Sequence, residues 1–279
     1  ANEQGDRSSL ELPGAQTELL SRLVEANPKT VVVMETISPN EVHEFDGAAA
    51  MLWSCYTGMQ KGDALANVLL GNYNPSGHTS TIWVEDTDEL ADIRSYRLSP
   101  GKDATYGETQ GRTYMYYTGD LRYPFGYGLS YTEFSYSNAA ISATEATGDD
   151  TVTVTVDVTN NGTMDGQDVV QLYVASPNAG QNGYPIKRLV AFDKVNVPAG
   201  ETVPATMTVD LADLAFWQED DARFEVEPGT YTFQVSTSSA DADIQASLNV
   251  EITADATPVP SVLSAKPVQD GDKEADIPQ

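Results

Sequence analysis

The sequence is poor in the residues on which metal and redox chemistry depends. Its 279 residues hold one cysteine, Cys55, and two histidines, His43 and His78. A single cysteine forms no internal disulfide and leaves the redox compartment unread. Neither histidine sits in an H-x-x-x-H or H-E-x-x-H pattern, so a zinc hydrolase or a Ser–His–Asp triad has little support. No cofactor is expected. Basic residues are scarce too: 15 Lys and Arg stand against 42 Asp and Glu, a net charge of −27. So acidic a chain repels phosphates and anionic lipid, which argues against nucleic-acid and membrane partners. No run reaches the ~18 apolar residues of a membrane span. The opening "ANEQGDRSS" lacks the basic-then-apolar pattern of a signal peptide, and it reads as the interior of a longer protein.

What is present divides into two patterns. The first ~110 residues read as α/β. "LPGAQTELLSRLVEANPKT" places Leu19, Leu20, Leu23 and Val24 on one helical face, and Asn27-Pro28 stops the helix because a residue before proline avoids the helical region. "TVVVMETI" is a short continuous apolar run, the signature of a parallel strand covered on both faces. "KGDALANVLLG" predicts a second helix with Asp63 near its start and Gly71 at its end. Only one or two strands are evident here, fewer than a doubly wound sheet needs.

From about residue 138 the period changes to two. "TVTVTVDVTNNG" alternates and closes on Asn160-Asn161-Gly162, a hairpin signal. "QDVVQLYVAS", "KRLVAFDKVNV", "VPATMTVDL", "TYTFQVSTS" and "IQASLNVEI" continue the pattern, with turns at "PAGE" and "EPGT". Short strands in this number predict an immunoglobulin-like or fibronectin-type sandwich. Between the patterns lies "RYPFGYGLSYTEFSYS", residues 122–137, whose clustered rings suit either a sugar platform or a packed joint, with the joint favoured by its position. The expected division is 1–121, partial α/β domain; 122–137, joint; 138–253, sandwich; 254–279, a Pro-, Ala- and Asp-rich linker or tail.

Candidate chemistry is sparse. "NEQGDR" groups Glu3, Asp6 and Arg7 in a glycine-containing loop before the first helix. A carboxylic acid beside an Arg and a second carboxylate suits a general acid or base, and equally a solvated surface ion pair. "GNYNPSGHTSTIWV" offers a ligand-approaching loop or a plain connector, and Trp53 and Tyr56 offer a stacking surface or core.

Taken together, "EQGDRSSLELPGAQTELL", "NPKTVVVM", "WSCYTGMQKGDALANVLLGNYNPSG" and "GRTYMYYTGDLRYPFGYGLSYTEF", followed by a sandwich, resemble glycoside hydrolase family 3 in its C-terminal portion. The segment "TIWVEDTDELADIRSYRL" before "GRTYMYYTGD" resembles the β-xylosidase/α-arabinofuranosidase branch, and the β-glucosidases share most of the rest. The resemblance implies a partial α/β sandwich domain followed by a fibronectin type III-like (immunoglobulin-like) β-sandwich. It implies retaining hydrolysis of β-xylosides or β-glucosides by two carboxylates, with an oligosaccharide or aryl glycoside as substrate. The nucleophile belongs to a barrel domain that this chain lacks, so the chain alone is expected to be inactive, and that barrel is its expected partner.

The family's E-G-x-D-R motif maps onto Glu3-Gln4-Gly5-Asp6-Arg7, which makes Glu3 the candidate acid/base. Gln4 stands where the family has glycine. Members with a longer loop place the acid/base upstream, in which case the residue precedes Ala1. Some members place the barrel after the sandwich. A non-catalytic carbohydrate-binding or scaffolding module is the alternative function. A secreted or periplasmic setting suits polysaccharide breakdown, although no targeting segment is visible.

Overall fold

The computed structural model describes residues 9–41, 46–218 and 223–255. The candidate Glu3, with Asp6 and Arg7, lies outside the described residues, as does the expected tail from residue 256 onward.

The first unit runs α1 (Gln16–Ala26), β1 (Val31–Glu35), β2 (Ala50–Ser54) and α2 (Lys61–Leu69), then β3 (Trp83–Val84), β4 (Gly101–Asp103), β5 (Gly107–Thr109), α3 (Thr113–Tyr116) and β6 (Leu121–Tyr123). Asn27 ends α1 in an extended conformation, φ −146 and ψ 101, as the following proline requires. Gly71 ends α2 at φ +72. Its N–H donates to Val68 O at 3.0 Å and the Asn72 N–H to Asn67 O at 2.8 Å, the paired bonds of a Schellman stop.

β1 and β2 pair in parallel, and β3 pairs antiparallel with β6. Val32, Met34 and Trp83 form a small core with Leu12, Leu20, Ala48, Met51, Trp53 and Tyr123. Trp83 is its hub, meeting Trp53 edge-on at 5.4 Å and Tyr123 at 5.7 Å.

The expectation that β1 is covered on both faces fails. Val32 and Met34 are buried, but Val31 on the opposite face is 46% exposed. Neither α1 nor α2 contains a buried residue, and Leu19 is 56% exposed. Apolar side chains of both α1 and β1 are therefore left exposed among the described residues.

The second unit is a sandwich. A three-stranded sheet has the order β12 (Thr202–Asp210), β9 (Thr151–Asn160), β7 (Phe134–Ile141). The facing sheet has the order β11 (Arg188–Val197), β10 (Gly166–Ala175), β15 (Gly229–Ser236), β16 (Ile244–Ile252), β8 (Glu145–Ala146), while β13 (Phe216–Gln218) and β14 (Arg223–Glu225) form a separate two-stranded ribbon. All its pairs are antiparallel except β16 with β8. Period-two alternation drives the core: Val152, Val154, Val156 and Val158 of β9 face Val170, Leu172, Phe233, Val235 and Val250. On the solvent face, threonines pair across strands, Thr153 with Thr208 and Thr159 with Thr202.

The Asn160-Asn161-Gly162 turn is not a hairpin. β9 and β10 lie in different sheets, so the turn carries the chain from one sheet to the other. Asn160 is fully buried there. Its Nδ2 donates to Met164 O and Val197 O, both at 2.9 Å, and its Oδ1 accepts from the Gly162 N–H at 3.0 Å.

Strand β10 explains how the units join. Its residues from Val170 to Val174 are all buried. Val170, Leu172 and Val174 face the sandwich core, while Gln171 and Tyr173 are covered by the first unit. Gln171 Nε2 donates to Gly126 O at 2.9 Å and Thr237 O at 2.7 Å, and Gln171 Oε1 accepts from Tyr173 OH at 2.6 Å. Phe125 stacks on Tyr114 at 4.2 Å, and Tyr114 meets Tyr173 edge-on at 6.0 Å. The Ser239 N–H donates to Phe125 O and the Ile186 N–H to Met115 O. Of the stretch 122–137, the ends belong to β6 and β7, and the seam proper is 124–133.

Candidate active-site margin

The described structure begins at Ser9, six residues after Glu3 in sequence. Leu12 packs against the small core, and the Leu10 carbonyl accepts from Asn40 Nδ2 at 2.9 Å and from the Glu41 N–H at 3.1 Å. Glu41 Oε1 accepts from the Thr87 N–H at 3.1 Å and from its hydroxyl at 2.5 Å. The Leu10 backbone is thus tied to the segment after β1, which is in turn tied to the turn after β3. Arg122 pairs with Asp46.

The other sequence candidates disperse. Trp53 belongs to the core, where its Nε1–H donates to Thr36 O at 3.1 Å. Tyr56, three residues on, is 78% exposed, so the two do not form one stacking surface. The loop 71–84 is a connector within the seam. Asn74 Nδ2 donates to Asp165 O at 3.2 Å, while Asn74 Oδ1 accepts from Ser130 Oγ and the Tyr131 N–H, both at 2.8 Å. Ser76 Oγ donates to Gln167 Oε1 at 3.2 Å. The ring cluster 122–137 is committed to packing in the same way.

The carboxylates displaced from their usual range, Asp92, Asp103 and Asp150, are all held low, the opposite of what a general acid needs. Asp92 is held by the Arg94 guanidinium, and Asp103 and Asp150 by backbone N–H and hydroxyl donors. Burial lowers His78, and burial beside Asp168 drives Tyr136 far above the usual phenol range. Among the described residues no group of three or more His, Cys, Asp or Glu could hold a metal ion.

Residues 40, 41 and 87 escaped sequence reading. "SPNE" signals only a loop, and partners of Asn40 and Glu41 are 30 and 46 residues away.

The described residues form an α/β unit joined by an aromatic seam to a fibronectin-type sandwich. Residues 1–131 match the glycosyl hydrolase family 3 C-terminal domain, and residues 168–239 match the fibronectin type III-like domain. Through these two domains the chain belongs to glycoside hydrolase family 3.

It is 38% identical over 256 residues to a β-glucosidase of Rhizobium radiobacter, covering 90% of this chain and 31% of that protein. It is 34% identical over 242 residues to a xylan 1,4-β-xylosidase of Xylanibacter ruminicola, covering 86% of this chain and 26% of that one. Among solved structures, the Bifidobacterium adolescentis family 3 β-glucosidase superposes with a TM-score of 0.78 at 32% identity, over 94% of this chain and 39% of its own. DesR, a β-glucosidase from Streptomyces venezuelae in complex with D-glucose, gives 0.77 at 33% identity, over 90% and 32%. The chain thus spans less than a third of the two curated relatives.

Proposed function

We propose that this chain is the C-terminal part of a retaining, exo-acting β-glycosidase that hydrolyses β-glucosides or β-xylosides. Glu3 serves as its general acid/base, and the nucleophilic carboxylate stands on a barrel domain outside this chain. The observation that carries the reading is the alignment with the R. radiobacter β-glucosidase along 90% of this chain but 31% of the relative. The exposed Leu19, Leu23 and Val31 of α1 and β1 support it, because a further domain would cover such side chains. The division into 1–121, 122–137, 138–253 and 254–279 remains our working domain assignment.

In the mechanism a protonated Glu3 gives its proton to the glycosidic oxygen as the nucleophile attacks the anomeric carbon. The resulting carboxylate then removes a proton from the water that releases the sugar. The two carboxyls of a retaining pair stand roughly 5–5.5 Å apart. A nucleophile on one domain and an acid on another make the reaction depend on how the domains are held.

Glu3→Gln in the protein that carries this chain tests the assignment. Turnover of aryl β-glycosides with poor leaving groups should fall by about 100-fold or more, and that of substrates needing no protonation should be spared. Equal turnover of poor leaving groups by parent and variant overturns it. The 279-residue chain on its own should show no hydrolysis.

A further inference from the structure

The β13–β14 ribbon turns its side chains the wrong way round for folding. Its register sets Phe216 against Glu225, Trp217 against Phe224 and Gln218 against Arg223. The polar members turn toward the sandwich and are tied to it. Gln218 Nε2 donates to Tyr184 OH and, at 3.5 Å, to Glu227 Oε1. Arg223 pairs with Glu225 at 2.8 Å and with Asp255 at 2.9 Å. The Val226 N–H donates to Asp255 Oδ1 at 2.8 Å, and Phe216 stacks on Tyr184 at 4.2 Å. Trp217 and Phe224 take the opposite face. They meet edge-on at 5.3 Å, yet stay 41% and 53% exposed. Burying these two rings and leaving Gln218, Arg223 and Glu225 to water would be the ordinary arrangement. A two-stranded ribbon is marginal on its own, so these anchors hold it firm. Stability does not account for the rings it displays.

We propose that Trp217 and Phe224 form a stacking platform on the sandwich for a neutral polysaccharide chain of β-linked sugars. Charge selects the occupant. At a net −27, a second copy of the chain and an anionic polymer are both repelled. Arg223, the cation on the ribbon, is already paired with Glu225 and Asp255, so it holds no charge in reserve for an anion. An uncharged chain escapes the repulsion. Sugars with equatorial substituents present flat C–H faces that lie on aromatic rings, while their hydroxyls stay in water at an exposed site. This rests on the reading of the chain as part of an enzyme of β-glucosides or β-xylosides, which makes a β-1,4-glucan or β-1,4-xylan the polymer of matching chemistry.

The test is native affinity electrophoresis of the protein that carries this chain, through gels containing hydroxyethylcellulose, soluble β-1,4-xylan or polygalacturonate. The two neutral polymers should retard it and the anionic one should not. Trp217→Ala should raise the apparent Kd for the neutral polymers about tenfold or more, the loss expected of an aromatic anchor. Trp217→Tyr, which keeps a ring, should retain most of the binding. Phe224→Ala should reproduce the loss, and serves if Trp217→Ala does not fold. Hydrolysis of a soluble aryl β-glycoside should match the parent in every variant. A parent that neither neutral polymer retards, or alanine variants retarded as strongly as the parent, overturns the platform. So does retardation by polygalacturonate as strong as by the neutral polymers, or a dimer that Trp217→Ala abolishes while polymer binding persists. A parent that binds the neutral polymers through these rings but hydrolyses no aryl β-glycoside overturns the proposed activity and leaves the platform standing.

Discussion

Gly126→Ala should destabilise the chain through one side chain, Gln171. Gly126 sits at φ +80, where a side chain costs roughly 1–2 kcal/mol. A Cβ built there lies 2.0 Å from Gln171 Oε1 and 2.8 Å from its Cδ, so the amide must move. Gln171 is 3% exposed and cannot turn to water. Moving it strains the bonds to Gly126 O, Thr237 O and Tyr173 OH. Leaving one or two buried groups unsatisfied costs about 1–3 kcal/mol each.

Together these give about 2–8 kcal/mol. At roughly 2–4 °C per kcal/mol for a chain of this size, the melting temperature should drop by about 4–32 °C. Differential scanning calorimetry measures it. In a Gln171→Ala background the clash disappears, and the same substitution should cost only the backbone penalty of roughly 1–2 kcal/mol. Equal costs in the two backgrounds, or a cost below about 1 kcal/mol in the parent, would refute the clash as the cause.

Other outcomes follow from the same structure. Asn160→Ala strips two carbonyls of their donor at the inter-sheet corner and should cost about 2–4 kcal/mol in chemical denaturation, with Asn160→Asp also destabilising because it too lacks the donor. Val156→Ala, 1% exposed in the sandwich core, should cost about 1.5–3 kcal/mol by the same measurement. Burial holds His78 below its usual value of 6.5, so the unfolded chain binds the proton more readily. Stability on this account is full above pH 6.5 and falls as pH drops below it, and His78→Gln should flatten the melting temperature between pH 5 and 7. With a net charge of −27, screening by added NaCl should raise the melting temperature, and a salt-independent value would contradict self-repulsion as a destabilising force.

The sandwich was legible because period two converts directly into burial. Every second residue from Val152 to Val158 is apolar in sequence and buried in space. What turns connect was not legible: Asn160-Asn161-Gly162 reverses a chain equally well within a sheet or between sheets. Only the partners of β9, Thr202–Asp210 and Phe134–Ile141, decide which, and no local pattern reports them. Gln171 within "VVQLYV" did carry a trace of the seam, a polar residue in an apolar run. Its burial depends on Gly126, 45 residues away.

The valines of β1 misled because a continuous apolar run promises two covered faces, and Val31 is half-exposed among the described residues. The node around Leu10 left no trace, since Asn40 in a Pro-Asn-Glu loop is ordinary turn chemistry. Glu3 itself stood out only through its family motif. Among 42 acidic residues, neither charge nor spacing singles it out.

The central claim is that Glu3 supplies the proton transfers of a retaining glycosidase. Azide rescue of Glu3→Ala in the protein that carries this chain tests it most directly. With the base gone, the glycosyl–enzyme ester should accumulate on substrates with good leaving groups. Azide, needing no deprotonation, should then attack the anomeric carbon and release the nucleophilic carboxylate. The account predicts a rate that rises with azide concentration and a glycosyl azide of β configuration as product. A variant that azide does not accelerate, and that yields only free sugar at the parent rate, would contradict it.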